Sequence, residues 1–190
     1  MKKIDFLSFN NHLIELYSRN FIENEDESFS LGYILMELDS FIVFMSISEI
    51  GTLESIQLRS KKFITNIVSN TEYTKMYDFF VSYSKKMNAF DGFSLEKSVA
   101  LTENTTPKEI LNTALKRNKT ISIITSIDES ILTGKIVLLD INRLVLSLLD
   151  YENIEIDHKQ SVRLETILCI DVVSVENYLY DKYLVMKNAN

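Results

Sequence analysis

The stretch Thr133-Gly134-Lys135-Ile136-Val137-Leu138-Leu139-Asp140, which leads into Arg143-Leu144-Val145-Leu146-Ser147-Leu148-Leu149-Asp150, decides the fold of this chain. Its β-branched and leucine side chains are typical of strands, because they pack well on a pleated and largely buried surface. A short corner, Ile141-Asn142, separates the two apolar runs. The sequence therefore predicts two adjoining strands with a tight corner between them.

A weaker copy of this stretch lies earlier in the chain. The matches at a constant offset of 102 residues (134 − 32) are Asp26-Glu27-Ser28 with Asp128-Glu129-Ser130, Gly32 with Gly134, Ile34 with Ile136, and Val43 with Val145. Further on, Arg59 matches Arg163 at an offset of 104 residues (163 − 59), as an insertion in a loop would produce. A run of matches in one register indicates an internal duplication.

Each copy is predicted to begin and end with a helix, with strands between. In the second copy, Thr106-Pro107-Lys108-Glu109 has the pattern of a capping box with proline at the first helical position. The first copy has apolar residues at helical spacing at its start, namely Phe6, Phe9, Leu13, Leu16 and Tyr17. The predicted closing helices are Thr71–Met87 and Val175–Lys187. The strands predicted in the second copy are 120–126, 133–141, 143–150, 160–165 and 166–173.

The chain between the two copies changes character. Asp91-Gly92 is typical of a turn, and the segment Glu103-Asn104-Thr105-Thr106 is polar. We therefore expect a first domain over residues 1–90, a linker over about 91–102, and a second domain over 103–190.

The motifs of the second copy resemble the Sm-like (LSm) family. Gly134 is followed six residues later by Asp140 and then by Leu144-Val145-Leu146, and Val162-Arg163-Leu164 stands where the family has its arginine motif. The chain is equally similar to the wider class of short bacterial five-stranded SH3-like barrels, and the resemblance is weaker in the first copy. It implies an α+β, mainly β fold of two tandem small Sm-like β-barrels, each with an N-terminal helix and a C-terminal helical segment.

The same resemblance implies candidate contacts with RNA or with a partner. The RNA pocket of the family uses an asparagine after the aspartate and an Arg-Gly pair, whereas this chain has a shorter corner and Leu164 in place of the glycine. The candidate residues are Asn142, Arg143 and Arg163 in the second copy, and Arg59, Lys61 and Lys62 in the first. The alternative for Arg163 is a strand-end arginine paired with a carboxylate.

Composition favours other functions over nucleic-acid binding and catalysis. A net charge of −7 disfavours non-specific nucleic-acid binding, which depends on pooled lysine and arginine. The single cysteine, Cys169, lies in an apolar run and is predicted to be a buried strand thiol. We find no arrangement of residues for a catalytic, metal or cofactor site, so we expect no enzyme activity and no cofactor. We expect no signal peptide and no membrane span, and a cytoplasmic location.

Aromatic residues crowd the end of the chain. Tyr178, Tyr180 and Tyr183 lie in one short segment, so some of them should face outward and form an interface. Our hypothesis is a non-catalytic interaction or regulatory protein that contacts a protein partner, or itself, through strand edges and this aromatic helix. The alternative hypothesis is an RNA-binding Sm-like protein.

Overall fold

A computed structural model describes residues 4–19, 29–127, 130–152 and 154–188. In these ranges the strands are β1 (Ile14–Ser18), β2 (Phe29–Glu37), β3 (Phe41–Ile47), β4 (Leu53–Ser60), β5 (Ile64–Ser69), β6 (Thr120–Thr125), β7 (Ile131–Leu139), β8 (Arg143–Asp150), β9 (Glu155–Arg163) and β10 (Ile167–Ser174). The α-helices are α1 (Glu72–Lys86), α2 (Pro107–Lys116) and α3 (Val175–Lys187). The motifs Asp26-Glu27-Ser28 and Asp128-Glu129 lie outside the described residues.

All ten strands belong to one antiparallel sheet, in the order β5-β1-β2-β3-β4-β10-β6-β7-β8-β9. The sheet is open, with β5 and β9 at its two ends. The prediction of two tandem small barrels is therefore wrong. The physical reason is the pairing of β4 with β10. The backbone N–H and C=O groups of β4 are satisfied by β10 of the other half, so β4 does not close a barrel within its own half.

The two halves of the sheet have the same strand order, with β5-β1-β2-β3-β4 matching β10-β6-β7-β8-β9. Their corners repeat too, since Leu38 N–H donates to the Phe41 carbonyl (2.9 Å) and Asp140 N–H donates to the Arg143 carbonyl (2.8 Å). Descent from one duplicated unit stays a prediction, as do the domain boundaries 1–90 and 103–190 and the linker at about 91–102.

The register corrects one alignment of the two copies. Ile42 of β3 faces Arg59 of β4, while Leu144 of β8 faces Val162 of β9. Arg59 therefore corresponds to Val162, and the match of Arg59 with Arg163 is one residue out of register.

Three of the four helices predicted from the sequence are observed. The capping box is present, because Thr106 accepts from Glu109 N–H and the Glu109 carboxylate accepts from Thr106 N–H (2.8 Å). The closing helices are observed as α1 and α3. The opening helix of the first half is wrong, since Phe6–Phe9 forms only a 3₁₀ turn and Leu16 lies in β1. Short apolar runs fit both periods, and pairing with β2 and β5 decides in favour of a strand.

The main hydrophobic core spans both halves. It contains Leu58 of β4, Ile170 of β10 and Ile123 of β6, together with Tyr77 of α1 and Leu111 of α2. A smaller cluster, which includes Phe44 and Ile14, lies within the first half. Because one core crosses the junction between β4 and β10, we expect the halves to be stabilised together.

Candidate interaction surfaces

A groove of about 560 Å³ is lined by residues of both halves, and it contains two of the six predicted contact residues, Lys61 and Lys62. One wall contains Lys61 and Lys62, which follow β4. The other contains Asp140 and Glu165, at the corners of the second half, and the beginning of α2 adds Lys108. The lining is therefore of mixed charge and does not form a continuous basic track.

Several of the predicted cations already contact carboxylates. Lys61 Nζ lies 2.7 Å from a Glu37 oxygen, Arg143 Nε lies 4.0 Å from an Asp140 oxygen, and Arg163 Nη1 lies 3.6 Å from a Glu165 oxygen. Arg143 and Arg163 also face each other across the β8–β9 ladder. Arg163 therefore lies at the end of β9 beside a carboxylate, as the alternative interpretation expects, and its contact with RNA or a partner stays a prediction.

The remaining predicted contacts, Asn142, Lys62 and Arg59, have three different surroundings. The Asn142 carbonyl accepts from Leu164 N–H (2.9 Å) at the corner, with its side chain exposed. Lys62 Nζ lies 4.9 Å from the centre of the Phe63 ring. The Arg59 guanidinium lies over the Phe44 ring, with Cζ 5.9 Å from the ring centre. The six residues therefore do not converge on one site.

Arg59 takes part in a polar network at the junction of the halves. Arg59 Nε donates to Gln57 Oε1 (2.7 Å), and Gln57 Nε2 donates to Asp171 Oδ1 of β10 (2.7 Å). Burial raises the pKa of the Asp171 carboxyl, and the Arg59 charge and the hydrogen bond from Gln57 oppose that shift. Polar side chains that are satisfied only in one strand register favour that register. We therefore assign this network to the joining of β4 and β10.

Cys169 lies next to this network. The side chain is buried in β10, which confirms the predicted buried thiol. Burial raises the pKa of the thiol to about 12. The thiol is therefore protonated at neutral pH and is a poor nucleophile.

The three predicted interface tyrosines of α3 differ in their surroundings. Tyr178 packs against the Phe93 ring at 5.5 Å, and the Tyr180 hydroxyl donates to a Glu176 oxygen (2.8 Å). Both rings are partly buried. Tyr183 is exposed. Two of the three tyrosines therefore have partners within the chain.

A larger apolar surface lies on α1, and sequence reasoning missed it. We call it the α1 stripe, and it consists of Tyr73, Met76, Phe79, Tyr83 and Met87. These side chains are between 40% and 64% exposed. The opposite side of the helix is held by the core through Tyr77 and Val81. Contiguous exposed apolar surface of this kind marks a binding site more often than scattered residues do.

The helix that carries the stripe is firmly mounted. Thr71 caps its first turn by accepting from Thr74 N–H (3.0 Å). Ser84 Oγ donates to the Gly51 carbonyl (2.6 Å), and a Cβ at Gly51 would lie 2.6 Å from the backbone carbonyl carbon of Phe80. The stripe is therefore presented on a preformed surface, which lowers the entropic cost of binding.

The width of the apolar arc on α1 is the signal that could have revealed the stripe. Tyr73, Met76, Tyr77 and Phe80 share one face of this helix by their spacing. Phe79, Tyr83 and Met87 widen the arc beyond the breadth that one contact with the core can cover.

Other kinds of site find no support in the part of the chain that the structure describes. There, no group of three or more His, Cys, Asp or Glu side chains could hold a metal ion. No helix in the described ranges is long and apolar enough to cross a membrane. Comparisons of the chain with protein families, with characterised proteins and with solved structures found no match.

Proposed function

We propose that this chain is a non-catalytic interaction protein and that the α1 stripe is its contact surface. The observation that carries the proposal is the exposure of five large apolar side chains on one side of a rigidly mounted helix. Aromatic and methionine side chains are enriched at protein interfaces and depleted elsewhere on the surface. Exposure of apolar side chains to water is unfavourable, so the free energy of the system falls when a partner covers the stripe.

The strand edges are a weaker candidate for the contact surface. At the internal junction, β4 places the buried side chains of Ile56 and Leu58 against β10. The corresponding positions of the outer strand β9 are Lys159 and Ser161, which are exposed. Charged and polar edge strands resist pairing with another chain. The hydrophobic part of the junction is therefore missing at this edge.

The carboxylates beside the predicted cations weigh against the RNA-binding alternative. RNA affinity depends on lysine and arginine side chains that exchange counterions for phosphates. Arg143 and Arg163 each have a carboxylate within 4.0 Å, and this negative charge weakens their attraction for a phosphate. No observation in the groove favours RNA over a protein partner.

Quantitative affinity capture from the native host tests the proposal. The baits are the wild-type chain, Phe79→Asp in the stripe, and Val185→Asp as the matched control. Val185 is also an exposed apolar residue on a helix, but it lies on α3. We expect wild type and Val185→Asp to retain the same partner, including further copies of the chain, and Phe79→Asp to lose it. Equal recovery with all three baits would contradict the proposal.

A further inference from the structure

The charges beside the α1 stripe have a symmetric arrangement. Glu72 lies seven residues before Phe79 and Lys86 lies seven residues after it. Seven residues are close to two helical turns, so both charges lie on the same side of α1 as Phe79. Both side chains are exposed. Glu72 also accepts a hydrogen bond from Lys75 Nζ (2.6 Å) within α1, and Glu72 must exchange this exposed contact when it pairs with another copy. Glu72 and Lys86 therefore place opposite charges at equal distances from the central aromatic residue of the stripe.

We propose that the α1 stripe binds a second copy of this chain, with the two α1 helices packed antiparallel around a two-fold axis at Phe79. This inference rests on the proposed function of the stripe and names its partner. In this arrangement Glu72 of each copy lies opposite Lys86 of the other, so the pair of charges forms twice. A parallel arrangement would place Glu72 against Glu72 and Lys86 against Lys86.

The apolar area agrees with a reversible dimer. Five large side chains, each about half exposed, offer roughly 500 Å² per copy, because a large aromatic side chain carries about 150–250 Å². Two copies would bury roughly 1,000 Å², which is near the lower limit of specific interfaces. We expect a dissociation constant in the micromolar range.

Two features of α1 suit a self-complementary partner. An isologous contact uses the same patch on both copies. Each feature of the patch must therefore suit the residues that the two-fold rotation brings opposite it. The aromatic centre of the stripe meets itself, and the acidic end meets the basic end. Both requirements are met by residues of a single helix, α1.

Sedimentation velocity over a range of concentrations tests whether the dimer forms. We expect wild type and Val185→Asp to pass from monomer to dimer in the micromolar range. Phe79→Asp should raise the dissociation constant by about 100-fold or more, because a central aromatic residue is lost from both copies. A wild-type chain that is still monomeric at a concentration of roughly 100 μM overturns the inference. A dimer whose dissociation constant Phe79→Asp leaves unchanged overturns it too.

Disulfide trapping tests the orientation of the helices. The variants are Glu72→Cys and Lys86→Cys, and the native Cys169 is buried and should not react. Each variant chain carries only one of the two new cysteines, so a bond between positions 72 and 86 can form only between two chains. We expect a cross-linked dimer when the two variants are mixed and little with either variant alone. Cross-linking of each variant with itself would show a parallel pair and overturn the inference.

The two experiments separate this inference from the proposed function. If the chain is monomeric and no mixture cross-links, the self-pairing is wrong. Capture of another protein that is lost with Phe79→Asp would then still support the α1 stripe as a contact surface. If Phe79→Asp alters neither self-association nor capture, both the inference and the proposed function are wrong.

Discussion

Replacing Leu58 by alanine should destabilise both halves of the sheet together. Leu58 is fully buried on β4, where it faces Val43 of β3 on one side and Ile170 of β10 on the other. The substitution removes three carbon atoms, each worth about 0.8 kcal/mol in transfer from water, and leaves a cavity. We expect a loss of about 3–4 kcal/mol in the free energy of unfolding. For a chain of this size that lowers the unfolding midpoint by about 6–16 °C.

Thermal unfolding followed by circular dichroism measures this loss, and hydrogen exchange with mass spectrometry locates it. Because one core crosses the junction, peptides from β3 and β8 should lose protection over the same temperature range. Leu35→Ala is the matched control, since Leu35 lies on β2 and is 38% exposed, and it should cost less than about 1 kcal/mol. If β8 keeps its protection while β3 exchanges, or if Leu58→Ala costs no more than the control, the reasoning about a shared core is wrong.

Three further predictions concern local features of the chain. Gly134→Ala should lower the free energy of unfolding by several kcal/mol, because its Cβ would lie 2.2 Å from the Ser147 carbonyl oxygen. The control Gly92→Ala has open space around its Cβ and should be nearly neutral, so equal losses of stability in the two variants would refute the prediction. The Asp171→Asn variant should become more stable relative to wild type as the pH rises from about 4 to 7. The pKa of Asp171 is raised in the folded state, so ionisation of its carboxyl above the usual pKa weakens the folded wild type, whereas asparagine does not ionise. Urea unfolding of both proteins at both pH values measures the difference in free energy of unfolding, and a constant or falling difference contradicts the prediction. Thr106→Ala should cost about 1 kcal/mol in urea unfolding through loss of the α2 cap, and an unchanged midpoint would argue against the capping box.

Helix α1 shows what the sequence determines about the candidate site and what it leaves open. Apolar residues in 71–87 correctly predict a helix, because a periodic run of that length suits no strand. The same residues do not indicate which part of the apolar arc is covered. Tyr77 is covered by the core while Phe79, two residues later, is 64% exposed. Helical spacing places these two side chains on different sides of α1, but only the docking of the helix decides which side faces the core.

Interactions within a few residues were determined by the sequence itself. The capping box of α2 spans Thr106 to Glu109, and the corner between β7 and β8 closes between Asp140 and Arg143. Each depends on hydrogen bonds between near neighbours, so residue type and spacing are sufficient to predict it.

The tertiary structure alone decided that the halves form one open sheet. The pairing of Cys169 with Arg59 joins positions 110 residues apart (169 − 59). An outer strand offers the same backbone donors and acceptors to any partner, so its sequence does not specify which strand will pair with it. The choice depends on which pairing buries Leu58 and satisfies Asp171, and both conditions exist only when the two halves are already together.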